Sequence, residues 1–248
     1  LILLFIITIK SDIKLNAIEI IPEQQIQIVS EKKKEEKINI NNTENIEEIK
    51  TNLIKNEILD MWNTWYLKQD NWTKKKLIIP KQHWLEYATY LVNSIKKYQI
   101  ENVVYNEWNH KTTQLPENAN VHLLLASIAI HESNIDNRSI GKLKEIGILQ
   151  CHPQWCLIRL PLLSKLPYRK RIEKAKQEPK LNIEAAVKHF TIMYGICNTI
   201  IKKSDDWLGS VSLYVAGSKA YKNNKCITNN PAQRRVNSMK TYLKNIEK

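Results

Sequence analysis

Residues 128–153 read IAIHESNIDNRSIGKLKEIGILQCHP, and the reading of this stretch decides the fold. It opens inside the run NVHLLLASIAIHES (120–133), which is apolar almost all round, the pattern of a helix buried on most faces. Glu132 stands at the end of that run. A carboxylate there is expensive unless it is protonated, paired or used. Low-dielectric surroundings and the negative end of the helix dipole both favour its neutral form. A raised pKa is what a general acid needs near neutral pH, so Glu132 is a candidate acid. The competing reading is an exposed glutamate on a last helical turn that serves solubility. Residues 134–150 mix Asn, Asp and Gly with short apolar pieces, which suits an irregular segment or small hairpin.

Outward from this stretch the chain reads as helices. NEILDMWNTWYLK (56–68) and KQHWLEYATYLVNSIKKY (81–98) space apolar residues by three and four, as do the long NIEAAVKHFTIMYGICNTIIKK (182–203) and PAQRRVNSMKTYLKNIEK (231–248). DWLGSVSLYVAG (206–217) reads as one more. Pro80 is expected in a first helical turn, and 100–120, with Pro116, is expected to be loop. The fold class is mainly α, with at most a small β-hairpin.

No aromatic residue lies between Ile6 and Met61, and all seven Trp follow. EKKKEEKININNTENIEEIK (31–50) cannot bury enough apolar area to offset its ordering entropy, so it reads as a disordered tether or weak helix. The expected organisation is therefore a signal peptide or membrane anchor over 1–17, a charged linker over 18–56 and a folded domain over 57–248. LILLFIITI (1–9) is too short to span a bilayer but suits a signal h-region, so export to a periplasm or cell envelope is expected, with the N-terminus a potential anchor.

Charge divides at the same point. Residues 1–60 hold 8 Lys/Arg against 11 Asp/Glu, net −3; the rest hold 30 against 14, net +16. A basic folded part suits an anionic partner: nucleic acid, a membrane surface or a cell-wall polymer. The basic residues are scattered or in short runs such as Lys74-Lys75-Lys76, and no groove-reading motif is visible, so a nucleic-acid partner is not expected. The four cysteines, Cys151, Cys156, Cys197 and Cys226, permit two disulfides in three pairings. Cys151-His152-Pro153-Gln154-Trp155-Cys156 lacks the paired C-x-x-C spacing of structural zinc sites, so no metal is expected.

Glu132-Ser133, then Gly147-Ile148-Leu149-Gln150 and Pro153, resemble the Glu-Ser … Gly-Leu-Met-Gln-x-x-Pro signature of lytic transglycosylases of the soluble-lytic-transglycosylase type, members of the lysozyme-like superfamily. The eighteen residues from Glu132 to Gln150 match the family's usual spacing. PKLNIEAAVKHF (179–190) resembles its Asn-Ile helix, and WLGSVSLYVAGS (207–218) its Trp … Ala-Tyr-Asn-Ala-Gly-Pro segment. The three blocks occur in the family's order over roughly residues 120–220. The resemblance implies a goose-type lysozyme or transglycosylase-like helical domain with Glu132 as acid/base. It implies substrate contacts from Ser133, Gly147, Gln150, His152 and Tyr214, with Tyr214 helping to hold Glu132. Gly141 stands where the family has a serine, His152 where it has a methionine, and Val215 and Ser218 where it has asparagine and proline.

Ordinary glycosidases need two carboxylates, and neither Asp136 nor Glu145 stands out as a partner. The family's chemistry needs one. It implies cleavage of the MurNAc-GlcNAc β-1,4 bond with closure of a 1,6-anhydro-MurNAc ring, without metal or organic cofactor. The implied partner is the peptidoglycan glycan strand, acted on by a monomer, with an envelope-spanning secretion or phage-tail assembly as a further setting. Trp108 and Trp155 are candidates for stacking on sugar faces. The rivals are a hydrolytic muramidase on the same fold and a non-catalytic glycan-binding or structural component of such a machine.

Overall fold

Small residues along one buried helix set the architecture. The computed structural model describes residues 41–101, 104–106, 111–116, 120–198, 207–222 and 225–246. The apolar N-terminal run, the linker before residue 41 and Trp108 lie outside them. Among the described residues nine α-helices run in the order α1 (Asn41–Leu67), α2 (Asn71–Gln82), α3 (Trp84–Lys96), α4 (Val121–Ser133), α5 (Pro161–Ser164), α6 (Tyr168–Gln177), α7 (Pro179–Asn198), α8 (Trp207–Ala216) and α9 (Asn230–Ile246). Two antiparallel two-stranded hairpins accompany them, β1 (Val104–Asn106) with β2 (Lys111–Thr113) and β3 (Tyr221–Lys222) with β4 (Lys225–Cys226). The protein is mainly helical.

Ten of the thirteen residues of α4 are buried, which makes it the central helix. Ala126, Ser127 and Ala129 let neighbouring backbones approach closely. On one side Trp62 of α1 donates its Nε1–H to the Ala126 carbonyl at 3.1 Å. On another, the Ser127 hydroxyl donates to the backbone carbonyl of Arg235 in α9 at 2.7 Å, both residues being buried. α7 packs on α3 and α8 and supplies the fully buried Phe190 to the same core.

Two expectations are corrected, and over residues 41–50 the helical alternative to a tether is the one observed. α1 begins at Asn41 and runs through residue 57 without a break, so part of the expected linker is helical. Ile54 packs on the core and Glu47 pairs with Lys96 at 2.8 Å, which gives this polar stretch tertiary support. Pro80 sits near the end of α2 rather than in a first turn, buried against the core, and its carbonyl accepts the N–H of His83 as the helix closes. The segment 100–120 contains the β1–β2 hairpin, in register Val104↔Thr113. The cysteines pair as Cys151–Cys156 and Cys197–Cys226, the second joining α7 to β4.

Candidate active site

The end of α4 is held by backbone geometry. Asn134 and Ile135 both adopt left-handed conformations, with φ of 55° and 60°. Asn134 N–H donates to Ile130 O and Ile135 N–H to Ala129 O, which satisfies two carbonyls of the last turn. A β-branched residue in this region is strained, and Ile135 is kept there by complete burial. The chain is thereby turned sharply just after Glu132.

The segment 136–151 then folds onto itself. Ile146 bridges both Ile140 and Cys151, and residues 147–150 form a tight turn between Ile146 and Cys151. Gly147 is required here. Its φ is +80°, and a Cβ would meet the side-chain oxygen of Asn182 and lie 2.9 Å from Oδ1 of Asn137. Asn182, fully buried on α7, donates to the Ile146 carbonyl at 3.2 Å. This is the structural use of the Asn-Ile helix.

Glu132 has a partner that the sequence did not disclose. Arg235, from the middle of α9, donates through Nη2 and Nε to Glu132 Oε1 at 2.6 and 3.1 Å. Nη1 of the same guanidinium donates to the Pro231 carbonyl at 2.7 Å. The side chains are only 8% and 18% exposed, so this is a largely buried ion pair. Both bonds go to Oε1, and Oε2 carries no hydrogen bond among the described residues. Burial pushes the Glu132 carboxyl above its ordinary value; Arg235 pulls it back without cancelling the rise, and the charge of Glu145 adds to it.

The remaining expected residues divide between the loop and the helices that hold it. Ser133 is buried, and its hydroxyl donates to Ile148 O at 2.9 Å and Ala129 O at 3.2 Å, so it fastens α4 to the turn rather than facing a ligand. Tyr214 on α8 donates its hydroxyl to Leu149 O at 2.8 Å. It braces the turn; the expected grip on Glu132 comes from Arg235 instead. Burial and the charge of Glu132 both hold the Tyr214 phenol protonated. Behind Tyr214 lies the ring of His189, kept neutral by burial, its pKa lowered to about 3.

Gln150, itself at φ 49°, donates its amide to Gly147 O at 2.9 Å and Ser139 O at 3.2 Å. Its Oε1 turns toward Gly141, 2.6 Å from where a Cβ on that glycine would stand, beside Oε2 of Glu145. Glu145 Oε2 is fixed by the Leu143 N–H at 2.9 Å. Gly141 therefore makes room for two acceptor oxygens. His152 accepts the Gln154 N–H on Nδ1 at 3.1 Å and is biased to its neutral form by burial, against the nearby charge of Glu145. Asp136 is engaged by Arg138 at 3.0 Å. His131 turns away from Glu132 toward Ser238, at 2.8 Å, and Trp155 is exposed. Both sulfurs of the Cys151–Cys156 segment are in a disulfide, which removes the thiolates a metal would need.

Buried acid, basic partner and glycine turn thus converge from α4, α9 and the 136–151 loop. The family model of the transglycosylase SLT domain matches residues 113–237, a span that takes in Glu132, Gly147, Gln150, Asn182, Tyr214 and Arg235. No curated protein and no solved structure matches the chain. The family match supports action on peptidoglycan as the general class of function. The chain belongs to the transglycosylase SLT domain family.

Proposed function

We propose that the chain is a lytic transglycosylase that cleaves the MurNAc-GlcNAc β-1,4 bond of peptidoglycan with Glu132 as its single acid/base. The observation that carries this reading is the state of Glu132: a buried carboxyl, raised above its ordinary pKa, with Oε1 tied to Arg235 and Oε2 without a hydrogen bond among the described residues. A carboxyl with one anchored and one free oxygen is oriented for proton transfer through the free one. Glu132 Oε2 protonates the glycosidic oxygen as the bond to muramyl C1 breaks. The carboxylate then takes the proton of the muramyl C6 hydroxyl, whose oxygen bonds to C1 and closes the 1,6-anhydro ring. No water is consumed, and the proton lost in the first step is regained in the second.

Gln150 Oε1 and His152 are the polar groups proposed to contact the glycan, and Ser133, Gly147 and Tyr214 hold the turn that presents them. The two disulfides support an exported protein, since such bonds persist in oxidising compartments. The basic domain suits the carboxylates of peptidoglycan stem peptides.

Digestion of purified peptidoglycan followed by mass spectrometry tests the reading. Muropeptides one water lighter than reducing-end products are expected from the wild-type chain and none from Glu132→Gln. Reducing ends alone would make the enzyme a hydrolase, and an active Glu132→Gln would remove the acid/base role.

A further inference from the structure

The second helix carries apolar side chains on opposite sides. Leu77 and Pro80 are buried against the core. Trp72, Ile78 and Ile79 face solvent at 66%, 52% and 54% exposure, and Leu85 at the start of α3 is exposed as well. At about 100° per residue, Trp72 and Ile79 fall on one line of the helix with Lys75 and Lys76 between them. Lys76 Nζ lies 3.3 Å from the Trp72 ring centroid.

This face is basic. Residues 71–82 contain Lys74, Lys75, Lys76 and Lys81 and no Asp or Glu. The flanking acids are already engaged. Asp70 caps α2 through the Thr73 N–H at 2.7 Å, and Glu86 accepts from the Tyr90 hydroxyl at 2.6 Å and meets His83 at 3.4 Å. Lys81 lies over the Tyr66 ring at 4.0 Å, at the margin of the face.

Single exposed apolar side chains are ordinary, but several together among like charges mark a contact surface. A glycan strand would answer the tryptophan and the lysines and leave the isoleucines unmatched. A nucleic acid would answer the lysines alone. An anionic bilayer answers all three: phosphates for lysine, the headgroup level for tryptophan, and acyl chains beneath for isoleucine and leucine. We infer that the Trp72–Ile79 face of α2 docks on an anionic lipid bilayer and holds the domain at the membrane surface. α2 supplies no residue to the Glu132 site, so this docking stands apart from the proposed reaction.

Co-sedimentation of the full chain with vesicles of phosphatidylcholine, with and without phosphatidylglycerol, tests it. Binding is expected on the anionic vesicles only, weakening with added salt and slowing hydrogen exchange over residues 71–82. Trp72→Ser with Ile79→Ser should cut partitioning at least about tenfold, and Lys75→Gln with Lys76→Gln about fivefold per lysine. All four side chains are exposed, so thermal midpoints should stay at the wild-type value. Equal partitioning onto both vesicle types would overturn the inference. So would anionic binding that neither double variant weakens, which would locate the contact elsewhere, including residues 1–9. A lipid-free dimer lost in Trp72→Ser with Ile79→Ser would assign the face to a second copy and overturn it as well.

Discussion

The two sides of the Glu132 carboxyl are built in different ways. On one side the loop 134–151 is held by many backbone bonds: Gly141 N–H to Glu145 O at 2.8 Å, Gly147 N–H to Ser139 O at 3.1 Å, Cys151 N–H to Ile146 O at 2.9 Å. Side chains of the surrounding helices, Ser133, Asn182 and Tyr214, reinforce that frame by donating to its carbonyls. On the other side a single guanidinium, brought by α9 from 103 residues away, makes both hydrogen bonds to the carboxyl. A distributed frame tolerates the loss of one bond. A one-residue contact between buried charges does not.

The largest effect is therefore expected at the ion pair, and it should be asymmetric. Removing one member of a buried pair costs about 3–5 kcal/mol because the other is left charged and unpaired. Glu132→Gln leaves a guanidinium that cannot shed its proton and adds no titration of its own, so its deficit should narrow as the wild-type carboxyl, raised in the fold, loses stability at rising pH. Arg235→Met leaves a carboxyl that can take one up. Without Arg235, the two influences that lower the Glu132 pKa are lost and it rises further. A carboxyl raised in the folded state contributes stability below its unfolded pKa and loses it as pH rises through the folded value. Arg235→Met should thus approach wild type in acid and fall behind toward neutrality, while Glu132→Gln lags most in acid. Urea unfolding midpoints across pH check this, and parallel curves for both variants would show that the pair is not what holds the carboxyl.

Gly147→Ala should be the next largest, because here the distributed frame has its one indispensable position. Left-handed backbone costs an alanine about 1–2 kcal/mol, and forcing a methyl against Asn182 and Asn137 adds about 1–3 kcal/mol. Thermal unfolding measures the loss, and peptidoglycan turnover should fall with it as Gln150 is displaced. A variant as stable and as active as wild type would mean that the turn relaxes without harm.

The same difference explains what could be read in advance. Glu132, Gly147 and Gln150 lie within nineteen residues, and the pattern linking them is local: a buried helix, a break, a glycine and a glutamine at fixed spacing. Arg235 left no such trace. In PAQRRVNSMK it is one more cation in an amphipathic basic helix, and only the packing of α9 on α4 distinguishes it from exposed Arg234. Ser133 was legible as part of the motif, but its service to Ile148 O depends on where the turn returns. The β1–β2 hairpin, three residues a side, is too short for an alternating pattern to register. The first half of α1 has its apolar residues at helical spacing among acids and amides, and what supports it comes from α3 and the core.

The smallest effect tests the loop's own electrostatic part. Glu145 is placed by the Leu143 N–H and by the room over Gly141, and its charge contributes least among the causes acting on Glu132. Glu145→Gln keeps the shape and removes the charge, so Glu132 should become easier to ionise. On the proposed mechanism the acid works only while protonated, and activity falls as pH rises through its pKa. The high-pH limb of the pH–activity profile should therefore move down in Glu145→Gln and up in Arg235→Met, the second shift being the larger. The two substitutions act on one carboxyl from opposite sides, so their opposed signs are hard to obtain from misfolding, which would lower activity without moving the limb. A limb that moves the same way in both variants would mean that another group governs it, and Glu132 would lose its place as the titrating acid.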